Sequence, residues 1–262
     1  MAGILLLRGM LVGLVAGLLC FCFLTIVGEP PVSRAIAIES QIQAANHAAA
    51  HALAGNAATA HAHPDEELFS RQVQSGIGLL TGVVIYNAAF GGLFALAFAL
   101  AYGRIGNMGP QPTAALLAVL GFVAVTLVPG LKYPANPPSV GEADTIGIRT
   151  GLYFGMIAFS LAAMVLGMLL RQRLIPKFGA WNASLIAGGV YLAAMAAVFA
   201  LAPSINEVPE HFPASLLWDF RTASLGAQIL MWASIGLLFG FLTERAESAG
   251  SRKTRLSAPK NA

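Results

Sequence analysis

The chain has 262 residues, 57% of them hydrophobic and 10% charged, where a soluble domain carries about 25% charged residues. That composition excludes an ordinary soluble domain and belongs to a membrane protein. The net charge of +3 is no argument for nucleic acid, and both cysteines, Cys20 and Cys22, sit in one apolar segment, which excludes a disulfide framework and a zinc ribbon.

An apolar helix crosses a bilayer core of ~30 Å in about 20 residues, and six segments qualify. The first, 4–27, holds a single charge, Arg8, close enough to its end to snorkel. It is longer than the apolar region of a secretory signal peptide, so we expect it to be retained. Gly9, Gly13 and Gly17 recur every four residues along it, a ridge without side chains that lets another helix approach closely. An outer loop, 28–75, follows. It opens with Glu29-Pro30-Pro31, which predicts a helix break, and continues with an alanine-rich helical pattern from Ala35 to Leu53 that Gly55-Asn56 stops.

The second span, 76–102, carries Asn87 near its middle, where an amide either faces a pathway or bonds a neighbouring helix. Span three covers 113–128, and Pro129-Gly130 predicts its end. In the Pro-rich connection from Leu131 to Arg149, Ser139 and Glu142 have capping-box spacing, so a short helix is expected there. Span four, 150–170, has Gly151 and Gly155 as a further small-residue pair, and Arg171, Arg173 and Lys177 crowd the turn before span five, 183–202. Pro213 reads as the first residue of the helix that becomes span six, 222–243, and a basic tail, 244–262, ends the chain.

Loop charges orient the spans, because Lys and Arg are retained on the cytoplasmic side. With both termini inside, 10 of the 15 cations and only Glu244 and Glu247 of the 12 acids lie inside; all five histidines fall outside. The outer face is then the one that collects cations. The expected fold is all-α, a polytopic bundle of six transmembrane helices.

Four of the five histidines lie in one stretch, His47 to Glu67. His47 and His51 are four apart, on one face of a helix, at a separation that a shared metal ion can use. His61 and His63 follow, then Asp65, Glu66 and Glu67, and imidazole with carboxylate suits a late first-row divalent metal. The same acids after Pro64 also suit the first turn of a helix, so metal capture and helix capping both remain open. Glu210 and His211 stand before span six as a second candidate pair, either ligands at the mouth of the bundle or an interfacial histidine and its neighbour. No phosphate-binding glycine loop and no His-Glu-x-x-His pattern occurs, and every histidine is in an outer loop, so we expect no catalytic residues, no bound cofactor and no enzyme activity.

The order of these features resembles the CbtA family of predicted cobalt transporter subunits. The resemblance rests on a first span, an outer helix bearing Glu39, the His61 and His63 loop, a glycine-rich second span and a Pro-rich third loop. It is carried above all by PEHFPASLLWDFRTASLGAQILMW, Pro209 to Trp232, similar to that family's P-x-x-L-x-x-x-F-x-x-A-S-L run with a following tryptophan. The resemblance implies cobalt as the transported ion, a small single-span CbtB-like partner and a bacterial inner-membrane location. Imidazole and carboxylate bind nickel more tightly than cobalt, so the residues alone do not choose the metal. The expected metal-contacting residues are His47, His51, His61, His63, Glu66, Glu210 and His211. The rival expectation is a membrane-anchored metal sensor or assembly scaffold that moves nothing across. Oligomeric state is not legible.

Overall fold

The computed structural model describes residues 2–54, 70–142 and 144–257, and among them every regular element is helical. Among the described residues, five helices are long and apolar enough to cross a membrane. The first combines α1 (Ala2–Phe23), a π-helical turn (Leu24–Gly28) and α2 (Glu29–Ala54) without a break. The second combines α3 (Arg71–Val73), a π turn (Gln74–Gly78) and α4 (Leu79–Ala101); the third joins α5 (Pro110–Gly121) to α6 (Val128–Lys132) through the π turn Phe122–Leu127. They are followed by α7 (Ile146–Leu201) and α8 (Ala214–Ser257).

Two expected helix ends are therefore wrong, and for one reason. Proline has no amide to donate to the carbonyl four residues back, and its ring crowds that carbonyl. Widening the preceding turn moves the bonding to the carbonyl five residues back. Before Pro30 the amide of Glu29 bonds the Leu24 carbonyl, and before Pro129 that of Val128 bonds the Val123 carbonyl. Neither proline ends its helix, so 29–54 extends the first span as a continuous rod and the third runs on to Lys132.

The glycine ridge packs as its spacing predicts. On α1, Gly9 meets the backbone of Gly91. A Cβ on Gly13 would stand 2.8 Å from the Ala88 Cα, and one on Gly17 would stand 2.8 Å from the Val84 Cα. In a lipid setting such backbone approach is what holds helices together, because apolar side chains gain nothing by leaving lipid for protein. Around this pair, Val12, Ala16 and Cys20 of α1 join Phe94 and Phe98 of α4, Ala114 and Ala118 of α5, and Met231, Trp232, Ile235 and Phe239 of α8 in one core. Gly121 makes room for the Trp232 indole, and Gly236 for Ala118. The Arg8 guanidinium donates to the buried Thr243 hydroxyl at 3.0 Å.

At 56 residues α7 would be about 84 Å long if straight. It bends at Gly179, whose φ of 74° and ψ of 165° are open to glycine and strained for other residues. The two arms fold back on each other, with Ser160 and Tyr191 hydroxyls 2.8 Å apart and Arg171 Nε donating to Ser184 Oγ at 2.8 Å. The basic turn expected near Lys177 thus narrows to one residue. Among the described residues, Gly151 and Gly155 meet no other helix: apart from their own helix backbone no atom comes within 4 Å of where their Cβ would be.

Gly13→Leu should sharply lower the amount of folded protein recovered from the membrane, since overpacking of a tight contact costs about 1–3 kcal/mol or more. Gly82→Leu, where nothing lies within 4 Å of the added Cβ, should leave the yield unchanged. Equal yields of the two variants would mean that α1 and α4 are not held at backbone distance.

Candidate functional site

The third connection does not form the short helix expected at Ser139. Ser139 has a φ of 63° in place of the extended backbone of an N-cap residue, with its hydroxyl 3.3 Å from the Ala35 carbonyl. The segment is tied down by side chains instead. Arg221 donates through Nε to the Ala135 carbonyl at 3.2 Å and through Nη2 to Asn136 Oδ1 at 3.0 Å. Arg149 donates to the Glu142 carbonyl at 3.2 Å and pairs with Glu207 at 3.3 Å, while the Glu142 amide donates to Glu207 at 3.0 Å. Gly141, at a φ of 115°, leaves the space where the Arg149 guanidinium lies. Lys132 and Tyr133 fasten the end of α6 to the Phe199 and Pro203 carbonyls.

Between these tethers lies an open cavity of about 760 Å³. Its walls come from α6, the connection after it, the start of α7, residues 205–208 and the first turns of α8. Thr126 and Gln228 lie at its floor, about 9 Å below Lys132 along the third helix. The Trp232 indole donates to the Thr126 hydroxyl at 3.0 Å, which lies 3.4 Å from Gln228 Oε1. Below that, rings close the bundle. Phe90 meets Trp232 edge-on at 5.1 Å, Phe239 meets Phe94 at 5.5 Å and Phe98 at 5.1 Å, and Tyr102 stacks on Phe98 at 5.0 Å. Phe98 and Phe239 are fully buried.

Of the expected metal-contacting residues, four fall among the described residues and none of these lines the cavity. His47 and His51 are on the far part of α2, about 18 and 24 Å along the helix beyond Ala35, the residue that seats α2 against Val140, Phe212 and Leu216. His61, His63 and Glu66 fall outside the described residues. Glu210 and His211 occupy an exposed turn next to the cavity wall and do not line it; Glu207 does. Among the described residues no three His, Cys, Asp or Glu side chains gather as they would around a metal ion. Among the described residues, Asn87 bonds no neighbouring helix. Its amide donates to the Val83 carbonyl of its own helix at 2.8 Å, while its Oδ1 is buried without a partner.

Sequence reasoning missed Arg149, Glu207, Arg221, Thr126 and Gln228. The two arginines stand where polar connections enter spans four and six, a position that read as ordinary flanking charge, and Gln228 was a visible amide within span six.

The Thr145 hydroxyl, the Glu142 amide and the Arg149 guanidinium hold the Glu207 carboxyl below its ordinary range. A lowered folded-state pKa means that this clamp contributes fully above the ordinary glutamate pKa and is lost only as pH falls through the lower one. Corrected for intrinsic rates, hydrogen exchange at the Glu142 amide should stay constant from about pH 8 to pH 5 and rise only in more acidic solution. Glu207→Gln should raise it throughout, and an unchanged rate in that variant would remove the clamp.

Residues 3–244 match the CbtA family model, described as a probable cobalt transporter subunit. No curated protein and no solved structure matches the chain. The match takes in the glycine contact, the bent α7 and every wall of the cavity. The chain belongs to the CbtA family of probable cobalt transporter subunits.

Proposed function

We propose that this protein is the membrane subunit of an uptake system for a divalent transition metal, cobalt before nickel, in the bacterial inner membrane. The observation that carries the reading is the family match over residues 3–244; the ligand chemistry alone would favour nickel. A small single-span CbtB-like protein is the proposed partner.

Both termini are cytoplasmic in this reading, and the arms of α7 cross separately, for six spans. The sorting of charges supports it. Arg8 with Thr243, Gln111 with Glu244, Tyr102 with Glu247 and Gln172 with Arg104 meet at the end rich in Lys and Arg. At the opposite end Glu29 pairs with Arg71, Arg34 with Asp219 and Arg149 with Glu207. Retention of cations on the cytoplasmic side makes the first end internal.

Capture falls to His61, His63 and Glu66, with His47 and His51 as a second station and Glu210 and His211 beside the mouth. Imidazole binds a metal only when neutral, so protons compete with the ion around the ordinary histidine pKa of about 6.5.

In an otherwise cysteine-free protein, Ala58→Cys should react with an impermeant maleimide in intact spheroplasts and Ser257→Cys should not; external labelling of Ser257→Cys would overturn the orientation.

His61→Ala combined with His63→Ala should depress uptake at trace cobalt but not at saturating cobalt, and should flatten the fall in affinity between about pH 7.5 and 5.5. Equal trace uptake by the double variant would leave helix capping as the role of the stretch. Proteoliposomes that bind cobalt and accumulate none, with the partner present, would favour the sensor or scaffold instead.

A further inference from the structure

Size, donor set and charge all bear on what occupies the cavity. At about 760 Å³ it has the volume of a small-molecule site, far more than a bare ion needs with its few ligands at about 2 Å. It offers no metal-binding trio among the described residues, and the carboxylate in its wall, Glu207, is already taken by Arg149 and the Glu142 amide. Two guanidiniums face that one acid across the lining. Among the described residues Arg221 has only neutral partners, the Ala135 carbonyl and the Asn136 amide, while Asp219 nearby is paired with Arg34. Among them, too, Arg149 keeps a buried Nε without an acceptor, a donor that is costly while unpaired.

A bare divalent cation is repelled by such a wall, whereas a guanidinium fork matches a carboxylate in shape and charge. We propose that the cavity binds a small organic polycarboxylate anion, held by Arg221 and Arg149 with Asn136 and Gln228 as neutral hydrogen-bonding groups. Resting on the uptake reading, cobalt then reaches the floor of the cavity as a carboxylate chelate and not as the bare ion.

The test is calorimetric titration of the full-length protein in nanodiscs, in the His47→Ala, His51→Ala, His61→Ala, His63→Ala background so that no imidazole of the outer stretch binds the metal. The probes are citrate alone, cobalt(II) with excess citrate, and cobalt(II) in a non-coordinating buffer. Citrate binding without metal identifies the free anion as ligand, binding only with cobalt identifies the chelate, and either supports the proposal. Affinity should fall about tenfold or more in Arg221→Gln, be recovered only in part by Arg221→Lys, which keeps the charge but not the fork, and weaken as salt rises in the unsubstituted cavity, a readout that needs no arginine variant. Neither citrate form binding, or citrate binding indifferent to salt, to Arg221→Gln and to Arg149→Gln, overturns it. So does binding of cobalt alone that Glu207→Gln abolishes and citrate does not disturb. Liposomes that accumulate bare cobalt with a protein that ignores citrate would sink this inference and keep the uptake reading, and citrate binding by a protein that moves no cobalt would do the reverse.

Discussion

A backbone amide in the hydrocarbon core has no water to turn to, so a spanning chain must satisfy its carbonyls and amides within its own helix. Two prolines at span ends, Pro30 and Pro129, would break that rule if they simply interrupted the ladder. The chain answers each with a π turn immediately before it, and the helix goes on. At Pro30 the consequence is a rod that carries α2 out past the bundle. At Pro129 it is a site, because Thr126 sits in the widened turn Phe122–Leu127, where its hydroxyl meets Trp232 and Gln228 at the cavity floor.

Given continuous helices, what remains is how they touch. Small residues do most of this: the α1 ridge takes α4 at backbone distance, and Gly121 and Gly236 admit larger partners between α5 and α8. Close contact fills the α1–α4 seam, and Asn87, though polar and central, is buried in it. The opening lies on the other side of α8, where α6 and the first arm of α7 are held apart by tethered loops rather than by interlocking helices.

Much of this was legible. Long apolar runs marked the membrane-length helices, and four-residue glycine spacing marked the tight contact. The misses share a cause. Ending helices at Pro30 and Pro129 applied a rule learned in water, where a broken turn can be hydrated. The Ser139 to Glu142 spacing suggested a cap, but the left-handed Ser139 left the backbone to be held by Arg149, Arg221 and Glu207, side chains distant in sequence. Polar residues that meet only after folding, such as Thr126 with Gln228 and Trp232, have no local signature. The histidine stretch stood out because it is contiguous, and contiguity is what one-dimensional reading detects best.

The column of rings beneath Thr126 also has an electrical meaning. A water-filled cavity on one side of a membrane is at nearly the potential of that side, so the voltage falls mainly across what seals it. Here that insulation is the layer from Trp232 and Phe90 through Phe94, Phe239 and Phe98 to Tyr102. About 2.3 kcal/mol per elementary charge per 100 mV is thus concentrated over a short stack instead of the full bilayer. On the proposed uptake reading, a charged species at the cavity floor would have crossed little of the field, and most of the work the membrane potential can do on it would lie beyond Thr126.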